Sequence, residues 1–531
     1  MKKISVLQIA DENWQEQYEI PSNIKWTFVK PEDIVSLLPE DIGILNREAE
    51  AENGKKKKKK KKKKKVDKPF DVVLVDTAEY LEYVTILDQK IQVYRLFYHE
   101  RCRITTKTLE RFLLRKKAVK TNFENPEQML HIFSRGFFSK QNGTKLSVNH
   151  LVAAPSFEGQ ISYEGTNYLR LCGRYGEDYQ TIATYQHNIF LSGEMPLDLW
   201  PEFRVSEGCS IRYVVKGFPA GNSPMQEWIY DETSFDRSLT LDVNDSYYLS
   251  ISIQAKGQGI VKLGPCHYRD SHLGYGDLLV GGKRISDKNR EELIYFFHPG
   301  DLKPPLNIYF SGYRPAEGFE GYWMMNNLGS PFLLVGDPRS EGGAFYLGSE
   351  ELEQKLLQVV HNCLDELGFT KEQLTLSGLS MGTFGALYYS SKLEPHAVIV
   401  GKPLVNLGDM AENESTIRPG GFPTSLDLVY RTIGELSSEA TAQLNERFWT
   451  AFESADFSKT KFIISFMYQD DYDMSAYPDM LDELGQRDYR VSVISKGLTG
   501  RHNDDTQGIV EWFFNQYKTL LMNSFEREFK S

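Results

Sequence analysis

Leu374-Thr-Leu-Ser-Gly-Leu-Ser-Met-Gly-Thr-Phe-Gly-Ala-Leu387 is the stretch on which the reading of this chain turns. It opens on a short apolar run, Leu374 to Leu376, suited to a buried strand, and closes on Phe384 to Tyr389, suited to a helix. Between them, Gly378-Leu379-Ser380-Met381-Gly382 has the G-x-S-x-G pattern of a nucleophile elbow. A serine on so tight a strand-to-helix turn is forced out of the sheet, and only glycine beside it lets the backbone close without Cβ clashes. The N–H groups opening the helix point at the same spot and favour a developing oxyanion. Five residues alone are a weak pattern. The strand before and the helix after favour a catalytic serine over a structural turn.

Outward from the elbow, residues 291–531 alternate strand and helix, the pattern of a doubly wound, α/β-hydrolase-like parallel sheet. Strands are expected at Leu306–Phe310, Phe332–Val335, Leu374–Ser377, Ala397–Val400, Phe462–Met467 and Tyr489–Ile494. Helices are expected at Glu350–Leu367, Phe384–Ser391, Glu439–Phe452, Ala476–Leu484 and Thr506–Leu521. Ligand sites in such sheets lie at the strand C-termini.

The partners of a serine nucleophile follow in the order Ser, acid, His. Two histidines lie beyond Ser380. His396 immediately precedes a strand, at the wrong end of the sheet, and reads as structural. His502 follows the last strand and precedes the final helix, where a general base belongs. The acid should close the preceding strand, which runs into Tyr468-Gln-Asp-Asp-Tyr-Asp473: Asp470 is nearest, Asp471 is close behind, and Asp473 is too far along. Two N–H donors would make the oxyanion hole, Met381 after the nucleophile and Tyr313 in the loop after Leu306–Phe310. Arg314 reads equally as a substrate clamp or a surface charge.

Residues 1–154 read as a small α/β unit, with strands at Ile4–Ile9, Ile24–Val29, Val72–Val75 and Val93–Phe97 and helices at Glu32–Leu38, Ala78–Leu87 and Thr108–Lys117. It has no Gly-rich phosphate loop, so a structural or partner-binding role is expected. Eleven lysines, Lys55–Lys65, interrupt it as a flexible loop. They could draw the protein to an anionic membrane surface. A low-complexity insertion without a role is favoured, because no apolar anchor accompanies the run. Residues 155–290 change to short β-type runs, read as a β-sandwich: Tyr168–Leu171, Thr181–Ala183, Cys209–Val215, Ser238–Leu241 and Tyr247–Ala255. In the last, Leu249, Ile251 and Ile253 share a face. Trp200, Trp228, Tyr230 and Tyr268 are exposed aromatics that could stack on sugars or simply pack.

The net charge of −11 argues against general nucleic-acid affinity, and removing the lysine run takes 62 basic residues to 51 against 73 acidic ones, a balance of −22. Cys102, Cys172, Cys209, Cys266 and Cys363 are scattered and odd in number, which excludes a disulfide framework or zinc site and fits a reducing compartment. No apolar window reaches the ~18 residues of a membrane span. The start, Met1-Lys-Lys-Ile-Ser-Val-Leu, fits a first strand rather than a signal peptide. A cytosolic protein without metal or other cofactor is expected.

The elbow, the Asp470-Asp471 pair, Arg501-His502, the strand-rich start and the carbohydrate-binding-module-like middle together resemble one family over nearly the whole chain. This is the second accessory secretory protein of the accessory Sec system of streptococci, staphylococci and related Gram-positive bacteria. The resemblance implies an O-acetyltransferase acting on N-acetylglucosamine of serine-rich repeat adhesins. It also implies partnership in their export with the other accessory secretory proteins and the accessory Sec motor ATPase, at the inner face of the membrane. Carried over, Ser380 is the nucleophile, His502 the base and a carboxylate near Asp470 the acid. No family role attaches to the lysine run. From the residues alone, serine-dependent acyl transfer, a carbohydrate esterase and a non-catalytic export scaffold or chaperone remain alternatives.

Overall fold

A computed structural model describes residues 3–37, 68–77, 81–413 and 424–529; the lysine run lies outside them. Residues 3–139 form one compact unit and residues 140–529 another.

The first unit is built on a wholly parallel five-stranded sheet. Ile24–Val29 lies at one edge, followed by Ile4–Ala10, Val72–Asp76, Leu96–His99 and Val119–Thr121. The fourth strand starts later than Val93 because Tyr94 turns the chain with a φ of 62°. Lys107–Lys116 is the expected α-helix, capped by the Thr106 side chain. Pro31–Leu37 and Leu81–Lys90, expected as α-helices, are wound as 3₁₀ segments. In the second, the β-branched Val84-Thr85-Ile86 weakens α-propensity and the helix kinks at Leu87. Residues 38 and 78–80 of those expected helices lie outside the described residues.

In the second unit, residues 143–270 form a ten-stranded, antiparallel sheet organised on one strand of 24 residues, Tyr247–Asp270. Its first half pairs with Cys209–Pro219 and its second half with Leu197–Val205, while Tyr168–Tyr185 runs along much of its other edge. Gly257-Gln258-Gly259 is a bulge within the ladder. Gly257 has a φ of 91°, and a Cβ there would stand 2.0 Å from the Gly208 carbonyl oxygen. Leu249, Ile251 and Ile253 face the core as their alternation requires.

Of the four aromatics expected to be exposed, Trp200 is buried and the other three are only partly exposed. The Trp200 Nε1 donates to Arg290 O at 3.1 Å, and the guanidiniums of Arg284 and Arg290 cover its faces. Trp228, Tyr230 and Tyr268 are partly buried against the core. The alternation instead leaves Phe190, Phe218 and Tyr248 about half exposed.

The remaining sheet has eight strands, here numbered β1 Lys283–Ser286, β2 Glu292–His298, β3 Leu306–Phe310, β4 Phe332–Gly336, β5 Leu374–Leu379, β6 Ala397–Gly401, β7 Lys461–Met467 and β8 Ser492–Leu498. Their order is β1-β2-β4-β3-β5-β6-β7-β8; β2 runs antiparallel to both of its neighbours, β1 and β4, and every other pairing is parallel. The central strands β3–β6 are buried on both faces, which is why they read as continuous apolar runs. Edge strand β8 starts at Ser492, three residues beyond the expected Tyr489, whose hydroxyl instead bonds Phe457 N–H and Ala455 O.

A buried ion network links the two sheets of this unit. His267 and Arg269 project from the long strand. The His267 ring nitrogens contact Glu317 (2.5 Å) and Glu202 (3.0 Å), and Arg269 donates to both Glu317 and Glu292. Arg431 bonds Glu202 and Glu291, and Arg339 bonds Glu291 and Asp337. Burial by itself lowers the His267 pKa, but the carboxylates of Glu317 and Glu292 outweigh it and hold it at about 9. A pKa raised on folding contributes stability that is full below the unfolded value of ~6.5 and is lost as pH rises through about 9. Chemical denaturation should therefore show about 3 kcal/mol lost between pH 6.5 and 9.5, and His267→Gln should flatten that slope.

Candidate active site

The elbow is built by backbone crowding. Ser380 adopts φ 53° and ψ −125°, unusual for a side-chain-bearing residue, between β5 and the helix Met381–Leu393. A Cβ at Gly378 would stand 2.2 Å from Gly382 O, and one at Gly382 would stand 2.1 Å from Phe310 O, so both positions admit only glycine. Ser380 N–H donates to Gly401 O of the neighbouring strand (2.9 Å), and Thr383 Oγ1 donates to Ser380 O (2.6 Å). The helix behind is buried on nearly every side.

Three loops at the strand C-termini converge on this serine. Ser380 Oγ lies 2.8 Å from His502 Nε2, and His502 Nδ1 lies 2.8 Å from Asp470 Oδ2. Asp471 does not meet the ring: its Oδ1 accepts the His502 backbone N–H at 3.0 Å. Asp473 points elsewhere and accepts the Val405 and Asn406 N–H groups, each at 2.7 Å, and burial raises its pKa to about 6. The acid and histidine loops are stitched together by Gln469 N–H to Gly500 O and by Gly500 N–H to Gln469 Oε1. Tyr472 sets its ring edge-on to the imidazole at 4.6 Å. His396 lies at the opposite end of the sheet, against Phe525, where burial lowers its pKa. Serine, imidazole and carboxylate so arranged can move the hydroxyl proton to Nε2 while Nδ1–H stays held by the acid.

Met381 opens its helix, so its N–H has no intrahelical acceptor. In the loop after β3, the N–H groups flanking Tyr313 are committed, Gly312 to Glu320 Oε2 (2.8 Å) and Arg314 to Gly342 O (3.3 Å). Arg314 is half-buried, and its Nε reaches Ala316 O at 3.4 Å.

Two charged residues beside the site escaped the sequence reading. Glu320 holds the loop after β3 through Gly312. Lys402, directly after β6, is buried within electrostatic reach of Asp470 and Glu320. The signal for Lys402 was a charged residue at the C-terminus of an apolar strand adjoining the elbow, in Gly401-Lys402-Pro403. Elsewhere, ligating atoms of His267, Glu292 and Glu317 lie within 4.8 Å of one another, but Arg269 already pairs with both carboxylates. All five cysteines are free thiols. Among the described residues, no helix is long and apolar enough to cross a membrane.

The family model for the accessory Sec system GspB-transporter matches residues 4–527. The chain is 34% identical over 528 residues to the second accessory Sec system protein of Streptococcus gordonii, covering 99% of both chains. It is 36% identical over 530 residues to that of Staphylococcus aureus, covering 99% of this chain and 98% of the relative. It also superimposes, with a TM-score of 0.90, 36% identity and full coverage of both chains, on a chain of the glycosylation associate protein (Gap123) complex from Streptococcus agalactiae.

Proposed function

Because the chain belongs to the accessory Sec system GspB-transporter family, we propose that it is a serine-dependent O-acetyltransferase acting on N-acetylglucosamine of serine-rich repeat glycoproteins during their export. The observation that carries the catalytic half is the Ser380–His502–Asp470 chain of 2.8 Å contacts at the strand C-termini. Ser380 attacks the acetyl donor, His502 takes the hydroxyl proton and returns it to the leaving group, and Asp470 holds the ring tautomer. The Met381 and Tyr313 N–H groups receive the oxyanion. A sugar hydroxyl deprotonated by His502 then attacks the acetyl-enzyme; water attacking instead would make the same site an esterase.

The export half rests on family membership and on the S. agalactiae relative, solved as a glycosylation associate protein complex. We place this chain in a like assembly with the other accessory secretory proteins and the accessory Sec motor ATPase, at the inner face of the membrane. Incubation with p-nitrophenyl acetate should add one acetyl group to the intact mass of the protein and none to Ser380→Ala. Transfer to N-acetylglucosamine should exceed release of free acetate. An unmodified wild-type protein would sink the enzymatic reading.

The antiparallel sheet of residues 143–270 is assigned to holding the glycan, in the manner of a carbohydrate-binding module. Phe190, Tyr248 and Phe218 are cross-strand neighbours on one exposed face, with the first two rings 5.3 Å apart. Such a row offers flat apolar faces to sugar rings. Replacing all three by alanine should weaken binding to glycosylated adhesin about tenfold or more and leave binding to the unglycosylated form unchanged. Equal loss for both would remove this assignment.

A further inference from the structure

The loop after β4, residues 337–348, concentrates left-handed backbone beside the elbow. Ser340, Gly342, Gly343, Phe345 and Tyr346 all have φ between 48° and 131°. Glycine adopts such angles freely, but Phe345 and Tyr346 are consecutive aromatics at 53° and 63°, where a bulky side chain crowds its own backbone. Backbone of this kind persists only where its surroundings fix it, and it gathers at functional sites.

Here the surroundings do fix it. The Asp337 carboxylate accepts the N–H groups of Ala344 (3.0 Å) and Tyr346 (2.9 Å), and it is itself paired with the buried Arg339 guanidinium. The Tyr346 carbonyl accepts the Tyr389 hydroxyl at 3.0 Å. With N–H and carbonyl both held, the φ of 63° decides where the side chain leaves the backbone. Its ring stands edge-on to Phe310 at 5.0 Å and lies against Gly385 of the nucleophile's helix, where a Cβ would stand 2.7 Å from it. Its buried hydroxyl donates to Ser311 O at 2.6 Å. Burial raises the pKa of that phenol well above its ordinary value, so it stays a neutral donor.

Ser311 opens the loop that carries Tyr313. Just past Tyr313, the Arg314 N–H donates to Gly342 O at 3.3 Å, and the Tyr313 ring lies over Gly342, where a Cβ would stand 2.0 Å from it. The strained loop therefore grips the chain on both sides of Tyr313. It meets the other oxyanion residue too, since a Cβ at Gly343 would stand 2.5 Å from the Met381 sulfur.

We propose that Tyr346 is a positioning residue for acyl transfer: its hydroxyl, bonded to Ser311 O, anchors the loop after β3 and so aims the Tyr313 N–H at the oxyanion. The inference rests on Ser380 being the nucleophile and Tyr313 an oxyanion donor. A donor of this kind acts only when it is aimed before the charge develops, and a small misplacement forfeits much of its effect.

The test is Tyr346→Phe, which deletes one oxygen and keeps the ring. Stopped-flow acylation by p-nitrophenyl acetate should slow about tenfold or more with KM within about twofold, because the oxyanion exists only beyond the ground state. Trifluoroacetone gives a second reading. Ser380 Oγ bonds its carbonyl carbon, the C=O π pair becomes the alkoxide, and the hydroxyl proton passes to His502. Its inhibition constant should rise by about the same factor as the rate falls. The control is Tyr388→Phe, which loses another buried hydroxyl of the same unit, one bonded to Glu353 at 3.0 Å. That variant should stay within about twofold of wild type in both measurements. A Tyr346→Phe protein acylated as fast as wild type, a change confined to KM, or an equal loss in Tyr388→Phe would each overturn the proposal. So would a Tyr346→Phe chain that does not fold, since the hydroxyl would then serve the core and not the donor. If wild-type Ser380 is not acylated at all, the nucleophile reading fails first, and that outcome is distinguishable from the others.

Discussion

Ser380→Ala is expected to lower acyl transfer by three or more orders of magnitude while the protein folds normally and the adhesin is still exported. The substitution removes one oxygen from a turn whose shape is enforced by backbone contacts at Gly378 and Gly382, not by the hydroxyl. Its main loss is the 2.8 Å contact to His502, a ring also held through Asp470 and the Asp471 bond to its backbone. The melting temperature should therefore stay within a few degrees of wild type. Chemistry should not survive, because loss of the nucleophile removes the covalent intermediate and leaves only what binding and the oxyanion donors supply. Under the proposed export role, the surfaces that dock partner proteins should govern export, and a hydroxyl pointing at His502 is not among them. The measurement is paired: mass spectrometry of adhesin glycans for acetyl groups, and the amount of adhesin outside the cell. Loss of acetylation with export intact is the expected result. Collapse of export with a folded, abundant variant would mean that transport requires turnover.

How much of this could be read from the sequence depended on what each signal responds to. The elbow was legible because steric exclusion writes itself as glycine at fixed spacing, and Glu350–Leu367 matched to the residue because an acidic first turn and Gly368 bound it on both sides. Ser380, Asp470 and His502 could be nominated from strand order alone, and they lie within hydrogen-bonding distance of one another. β1 and β2 escaped notice: Lys283–Ser286 is a four-residue edge strand, and Glu292–His298 opens on a glutamate buried only because Arg269 meets it. Trp200 was misplaced for the same reason, since a strand pattern says that a side chain alternates but not that two arginines stack over it. Glu320 lay beyond reach because a lone charge in a loop has no periodicity to betray burial.

Asp470→Asn should cost about 10³–10⁴-fold in the rate of Ser380 acylation, and Asp471→Asn no more than about tenfold. The two carboxylates are adjacent in sequence, and both touch His502, but they touch different parts of it. Asp470 Oδ2 meets the ring at Nδ1, while its Oδ1 accepts the Tyr472 N–H at 2.9 Å, which fixes the carboxylate's orientation. An asparagine there can present its amide nitrogen to Nδ1. That would force the proton onto Nε2, where it faces Ser380 Oγ and blocks the base. Asp471 bonds the backbone N–H of His502 at 3.0 Å, and an asparagine oxygen can still accept that bond. Its loss would loosen the loop without changing the tautomer, so it should raise KM or blur the pH profile rather than abolish acylation. Stopped-flow measurement of p-nitrophenyl acetate acylation in both variants separates the roles. Equal losses in the two would mean that the pair shares the acid's role, and a larger loss in Asp471→Asn would transfer that role to it.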